Sequence, residues 1–320
     1  MQPLPVQVRP GYNYTHLQKE NRGGWNCWLT GCCGCFGSLG IMLVLGLLVI
    51  IGGLLAYQAN PPEPVTILIL GGDARPGTNQ EQIARTDSIM LLTVNPRQES
   101  VSLLSIPRGV FITSPQYGTL MANTIIRNAE LNEPGRGIPA MRYSMEYTLG
   151  TEIDHYARLN FQAFVEMVDA LGGIEIDVPK RIVDDTYPTH AGGIMRIEFQ
   201  PGLQQMDGET ALIYARTRHG DDDYQRATRQ QQVVNAVLEK LVNPANAHRL
   251  PAVLRVIEDN VESDMSIDDF WALAPGILLY GNNPDAIERL VIEREHLYYT
   301  DGNPHLNLDT IEVWLDQHVR

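Results

Sequence analysis

The sequence predicts an α/β chain: an αβα sandwich with a central mixed sheet flanked by helices, preceded by one N-terminal transmembrane helix. Three observations predict it. Apolar, β-rich runs without polar alternation occur at Val65–Leu70, Ile89–Val94 and Val101–Ile106, as strands buried on both faces require. Helical periods then alternate with further strands, a pattern that places helices on both sides of a sheet. Finally, no charged residue lies between Arg22 and Glu63, and within that gap Leu39–Tyr57 is almost purely apolar.

That apolar run is 19 residues long. At 1.5 Å per residue it reaches about 28 Å, close to one hydrocarbon core. The residues after it, AYQANPPEP, contain no clean small-x-small cleavage site, so an uncleaved anchor is expected rather than a secretory signal. Arg9, Lys19 and Arg22 precede the span, and no Lys or Arg follows it until Arg75. The positive-inside rule then puts the N-terminus in the cytoplasm and the main domain outside the cell membrane. The expected division is a cytoplasmic, Cys-rich juxtamembrane segment at 1–35, a transmembrane helix at 36–58, a Pro-rich linker at 59–64 and an extracytoplasmic domain at 65–320. All four cysteines (Cys27, Cys32, Cys33, Cys35) fall before the span, which excludes a disulfide-stapled fold. Their spacing is too tight for an ordinary zinc site. Acylation is the alternative, and a plain interfacial segment with Trp25 and Trp28 at headgroup level is the favoured reading.

Beyond the linker, the three apolar runs form the middle of one sheet. Met121–Leu131 and Pro139–Leu149 read as helices. Phe161–Leu171 is a strong helix, with Phe161, Phe164, Val165, Val168 and Leu171 on one stripe, Asn160 as N-cap and Gly172–Gly173 as the stop. Ile174–Val178 alternates as a half-buried strand. Gly208–Ala215, Asp223–Leu241, Ala252–Glu258, Ile267–Tyr280 and Leu308–Val319 read as helices, and Leu290–Glu293 as a strand.

The net charge of −14 argues against nucleic-acid binding, which needs a clustered positive footprint. After residue 60 the chain has 21 cations against 37 anions, and 19 of those cations are arginines. A chain-wide preference for Arg over Lys explains that count equally well, so placement has to decide. Gly71-Gly72-Asp73 follows the first strand, where open sheets bind ligands; taken alone it is as well a turn. Thr86 and Asp87 lead the second strand, and Arg108 follows the third. Arg216, Arg218, Arg226 and Arg229 fall within 14 residues. Each alone reads as a solvated surface cation. Together, against an acidic background, they form the cationic cluster a phosphate site requires. Asp73 and Asp87 are hard oxygen ligands suited to Mg²⁺ beside phosphate oxygens, with Mn²⁺ as the alternative. The combination fits a pyrophosphate with a divalent cation.

ILILGGDAR (67–75), RTDSIMLLTVNP (85–96), LLSIPRG (103–109), DHYARLNFQAFVEMVDALGGIEIDVP (154–179) and ALIYARTRHGDDDYQRATRQQQVV (211–234) together resemble the LytR-CpsA-Psr family of cell-envelope proteins. The resemblance spans roughly residues 65–240, and a single N-terminal anchor is also the family's architecture. It implies an αβα domain holding a polyprenyl-linked pyrophosphate. The family pattern places metal roles on Asp73 and Asp87, and phosphate roles on Arg75, Arg85, Arg108, Arg216, Arg218, Arg226 and Gln230. Catalysis is expected of Arg108, Arg216, Arg218 and Asp87. The same pattern lines an apolar lipid tunnel with Phe161, Phe164, Val165 and Val168, whereas periodicity alone reads that stripe as core. The family usually has Asp after Pro-Arg; this chain has Gly109.

The implied activity is transfer of a glycopolymer from a polyprenyl-pyrophosphate carrier to a surface-glycan acceptor such as peptidoglycan. Two rivals are a polyprenyl-pyrophosphate hydrolase and a non-catalytic polyprenyl-phosphate-binding regulator of the envelope. No glycine-rich nucleotide loop is present.

Overall fold

In a computed structural model of the chain, residues 42, 44–72, 86–189, 193–217, 223–280, 283 and 286–320 are described. The cysteine segment, the start of the apolar run, and Asp73, Arg75, Arg85 and Arg218 lie outside them. Residues 44–59 form a helix, α1, with Val44, Leu45, Leu48, Val49 and Ile50 exposed. Among the described residues no helix is long and apolar enough to cross a membrane. Residues 60–320 form a separate compact unit.

Three apolar strands build the centre of that unit: β1 (Val65–Gly72), β2 (Thr86–Asn95) and β3 (Ser100–Ile106). They pair antiparallel in that order, and β6 (His155–Leu159) joins β1 in parallel. The edges are β11 (Val261–Ser263) beside β6 and β12 (Ile287–Val291) beside β3, giving a mixed six-stranded sheet. Strands β6, β1, β3 and β12 all run the same way, so their carboxyl ends share one edge.

Pleating sorts each strand into two sets. Leu68, Leu70, Ile89, Leu91, Leu104 and Ile106 face helices α2 (Ile125–Asn132) and α3 (Gly137–Leu149), whose Ile125, Ile126, Met141 and Met145 complete one core. Helices α6 (Asp223–Val242) and α8 (Ile267–Tyr280) pack on the sheet as well, against β3 and β12 and against β2 and β3. A second core lies around α4 (Phe161–Ala170), β7 (Ile174–Val178), α5 (Gly208–Arg216), α6 and α7 (Leu250–Asn260).

The sequence reading meets the structure closely at α4, where the Asn160 Oδ1 accepts from the Ala163 N–H at 2.8 Å. It differs at Met121, which ends a hairpin of β4 (Phe111–Ser114) and β5 (Gly118–Met121) rather than starting a helix; α2 begins at Ile125, after a 3-10 turn. The last helix is likewise shortened to α9 (Glu312–His318), behind a separate turn. Remaining strands pair at the periphery: β8 (Ile182–Pro188) with β9 (Ile194–Phe199), β10 (Gly202–Met206) with β7, and β13 (Leu297–Thr300) with β14 (Asn303–Leu306) beside β4.

Candidate functional site at the carboxyl end of the sheet

The site is built from where the parallel strands stop. Gly71 on β1 pairs with Ser88 on β2 on one side and with Leu159 on β6 on the other. A Cβ on Gly71 would lie 2.9 Å from the Ser88 Cβ, so glycine is required here by strand-to-strand approach. The register shifts between Gly71, which pairs with Ser88, and Gly72, which pairs with Thr86, so Asp87 is the extra residue of a bulge on β2.

The same edge presents Asp87 from β2 and Arg108 from the turn after β3. The Arg108 Nη1–H donates to the Asp87 Oδ1, and both side chains keep partial exposure. The turn is closed by the Val110 N–H donating to the Pro107 carbonyl at 3.1 Å. Gly109 is not among the residues with positive φ, so its backbone does not call for glycine.

Leu159 ends β6 at this edge, and α4 begins two residues later with Phe161. The Arg216 guanidinium carbon sits 4.1 Å from the centroid of the Phe161 ring, and its Nη1–H donates to the Tyr187 hydroxyl at 3.2 Å. Burial pushes the Tyr187 phenol's pKa up, with Arg216 pulling the other way. Tyr187 was not foreseen from sequence. A shift of register between Asp184 and Tyr187 places both inward although they are three apart on one strand. Next to Arg216, the Thr217 hydroxyl donates to the buried Asp184 Oδ2 at 2.9 Å. No linear signal in DDTYP announces this bulge.

The arginine cluster separates into different duties. Arg229 is buried; its Nε–H donates to the Tyr214 carbonyl at 3.1 Å and its Nη2–H to the Thr217 carbonyl. It thus satisfies carbonyls at the C-terminus of α5, where a cation is also favoured by the helix dipole. Arg226 is buried in the first turn of α6, and Gln230 is half-buried one turn on. Their neighbour Gln231 pins α6 to the sheet, donating to the Leu103 carbonyl at 3.0 Å.

Of the side chains assigned to a lipid tunnel, Phe161, Phe164 and Val165 are half-buried and Val168 is fully buried in the second core. A groove of about 920 Å³ opens beside Gly72, Leu159 and Asn160, walled by Ile138, Pro139 and Arg142 of α3. Among the described residues no cluster of three His, Cys, Asp or Glu side chains is placed to hold a metal. A hard cation that takes one carboxylate and fills its shell with phosphate oxygens and water fits Asp87.

The family model described as LytR_cpsA_psr family matches residues 55–314. The chain belongs to this family. It is 32% identical over 222 residues to an uncharacterized protein of Staphylococcus aureus, covering 68% of this chain and 52% of that one. It is 30% identical over 253 residues to the polyisoprenyl-teichoic acid–peptidoglycan teichoic acid transferase TagU of Halalkalibacterium halodurans, covering 76% of each. The crystal structure of Bacillus subtilis TagV superposes with a TM-score of 0.62 at 25% identity, covering 80% of this chain and 97% of that one. The first of these relatives is thus spanned over about half its length.

Proposed function

We propose that this chain is a membrane-anchored transferase that moves a glycopolymer from a polyprenyl-pyrophosphate carrier to a cell-wall acceptor, peptidoglycan in the first instance. The reading is supported by the Asp87–Arg108 pair at the carboxyl edge of the sheet and by Arg216, whose guanidinium lies over the ring of Phe161, two residues past the end of β6. An arginine seated on an aromatic ring offers its fork to phosphate oxygens while an apolar surface continues beneath it. That is the local chemistry of a headgroup joined to a lipid. The names of relatives such as TagU, a teichoic acid transferase, support the same class.

In this reading an acceptor hydroxyl attacks the sugar-proximal phosphorus, its proton passes to Asp73, Asp87 or a third carboxylate, the bond to the bridging oxygen breaks, and polyprenyl phosphate leaves. Arg108 and Arg216, with Arg218, hold the phosphate oxygens whose charge spreads in the transition state. Arg75, Arg85, Arg226 and Gln230 complete the phosphate contacts. Asp87 and Asp73 would hold Mg²⁺, or Mn²⁺ in its place, which when bound neutralises phosphate charge. Asp87 keeps Arg108 aimed by its hydrogen bond. Phe161, Phe164 and Val165 give the first isoprene units an apolar path along α4, and Val168 backs it. Residues 36–58 anchor the chain in the cell membrane with the catalytic domain outside; the exposed apolar side chains of α1 support this.

The test is the full chain, reconstituted in lipid, with a polyprenyl-pyrophosphate-linked glycan and peptidoglycan. Acceptor-linked glycan is the expected product. Release of free glycan phosphate regardless of acceptor would instead identify a hydrolase, and tight lipid binding without turnover under any divalent cation a regulator.

A further inference from the structure

Helix α8 carries no charged side chain from Phe270 to Tyr280, and its polar side-chain atoms there are the Trp271 indole N–H and the Tyr280 hydroxyl. Leu273, Gly276 and Tyr280 turn inward and are buried. The opposite stripe, at i, i+3, i+4 and i+7, is Trp271, Ala274, Pro275 and Leu278. Trp271 is 60% exposed and Leu278 51% exposed. Among the described residues, this apolar stretch of helix is thus buried on one side only.

What covers that stripe follows from where the chain enters the domain. Val65 at the start of β1 pairs with Val94, so the β2–β3 turn at residues 96–99 lies at the same sheet end. Glu63 of the linker is ion-paired to Arg97 of that turn. The C-terminal end of α8 is there as well: the Asn283 N–H donates to the Tyr280 carbonyl at 3.1 Å, the Ala286 N–H donates to the Asn283 carbonyl at 2.9 Å, and the next residue, Ile287, pairs with Val101 beside the turn. Residues 60–64 span at most about 18 Å when fully extended. The sheet end bearing Tyr280 is therefore the end at which the linker enters the domain. Leu278 is nearest this end, and Trp271 lies two turns, about 10 Å, further along the axis. An exposed indole suits the headgroup zone.

We propose that the Trp271–Leu278 stripe of α8 is a second membrane contact, resting on the lipid surface of the bilayer that holds the anchor. It relies on the reading of residues 36–58 as a membrane span, and not on the transfer chemistry. The partner is an apolar lipid interface rather than an anionic one, because the chain beyond residue 60 carries 37 anions against 21 cations and electrostatic attraction to acidic lipid is not available.

The test uses the full chain in phosphatidylcholine vesicles, with Trp25, Trp28 and Trp314 changed to Phe so that Trp271 is the reporter. Brominated phosphatidylcholine is expected to lower Trp271 emission about twofold or more relative to the unbrominated lipid, as for an indole at the interface. Leu278→Asp is expected to relieve that quenching, and adding phosphatidylglycerol is expected not to increase it. A second reporter, Leu278→Trp with Trp271→Phe, is expected to be quenched too. Equal, water-like emission in both lipids overturns the proposal, including where cross-linking shows a second copy on the stripe. Alkaline extraction reads the anchor separately. A chain retained in the vesicles with unquenched Trp271 refutes the α8 contact alone, whereas a chain stripped from them refutes the anchor and the contact together.

Discussion

Arg108, just past the end of β3, donates to the Asp87 carboxylate at the start of β2, so two antiparallel neighbours are tied together at the carboxyl edge of the sheet. Both groups are partly exposed, at 17% and 25%, so the pair contributes about 1 kcal/mol or less to stability. Its value is in aiming the guanidinium. Arg108→Ala is expected to lower transfer by about 10²-fold or more, the scale of a lost transition-state donor, while the melting temperature stays near wild type. Asp87→Asn is expected to lower it as well. Wild-type turnover in Arg108→Ala would remove this residue from the mechanism.

Arg216 and Arg229 belong to one sequence cluster and are expected to respond differently. Arg216→Ala removes a stacked, half-exposed cation and should abolish transfer with little change in stability. Arg229→Ala leaves the Tyr214 and Thr217 carbonyls without their buried donor, which costs about 1–3 kcal/mol for each polar group so orphaned. Thermal unfolding of the two variants, measured beside transfer, checks this split.

Gly208 opens α5 with a Cβ position only 2.2 Å from the Val165 carbonyl oxygen on α4. Gly208→Ala must therefore push α5 from α4 and lift Arg216 off Phe161. The expected outcome is a loss of about 1–3 kcal/mol, as for overpacking, together with reduced transfer. Urea unfolding gives the first and the transfer assay the second.

Asp207 caps α5, accepting from the Thr210 N–H at 2.8 Å, and hydrogen bonding to Thr210 holds its carboxyl below the usual carboxylate range. The unfolded chain binds the proton more readily, so the cap stabilises the fold above the ordinary Asp pKa and is lost as pH falls through the lowered one. Asp207→Ala should cost about 1 kcal/mol at neutral pH. It should also flatten the acid side of a stability-versus-pH profile below about pH 4.

Gly109 stands where the family usually has Asp, on a backbone without positive φ. Gly109→Asp should therefore fold normally. If the carboxylate assists the neighbouring Arg108, this variant raises the rate of transfer. Unchanged turnover would show that Arg108 needs no carboxylate at position 109.

The central strands were legible because six-residue apolar runs leave a strand no water-facing side, and β1, β2 and β3 lie next to one another as their hydropathy required. Asn160 was legible as a cap because an N-cap acts within one helical turn. Strand β6 was not: HYARL is half polar, and it enters the sheet only because its backbone completes the free edge of β1. Met121 was misplaced for a related reason, since a short hairpin strand is held by its partner and not by its own period.

The chain alone determined that arginines cluster at 216–229 in an acidic α/β domain, because strand and helix periods and charge are local properties. Only the tertiary structure decided which arginine meets a ring and which meets carbonyls. Arg216 and Arg229 are chemically identical and 13 residues apart. A two-residue bulge at 185–186 brings Tyr187 to the first, and the end of α5 supplies backbone acceptors to the second. Those assignments depend on hydrogen-bond demands between segments distant in sequence, which no local pattern encodes.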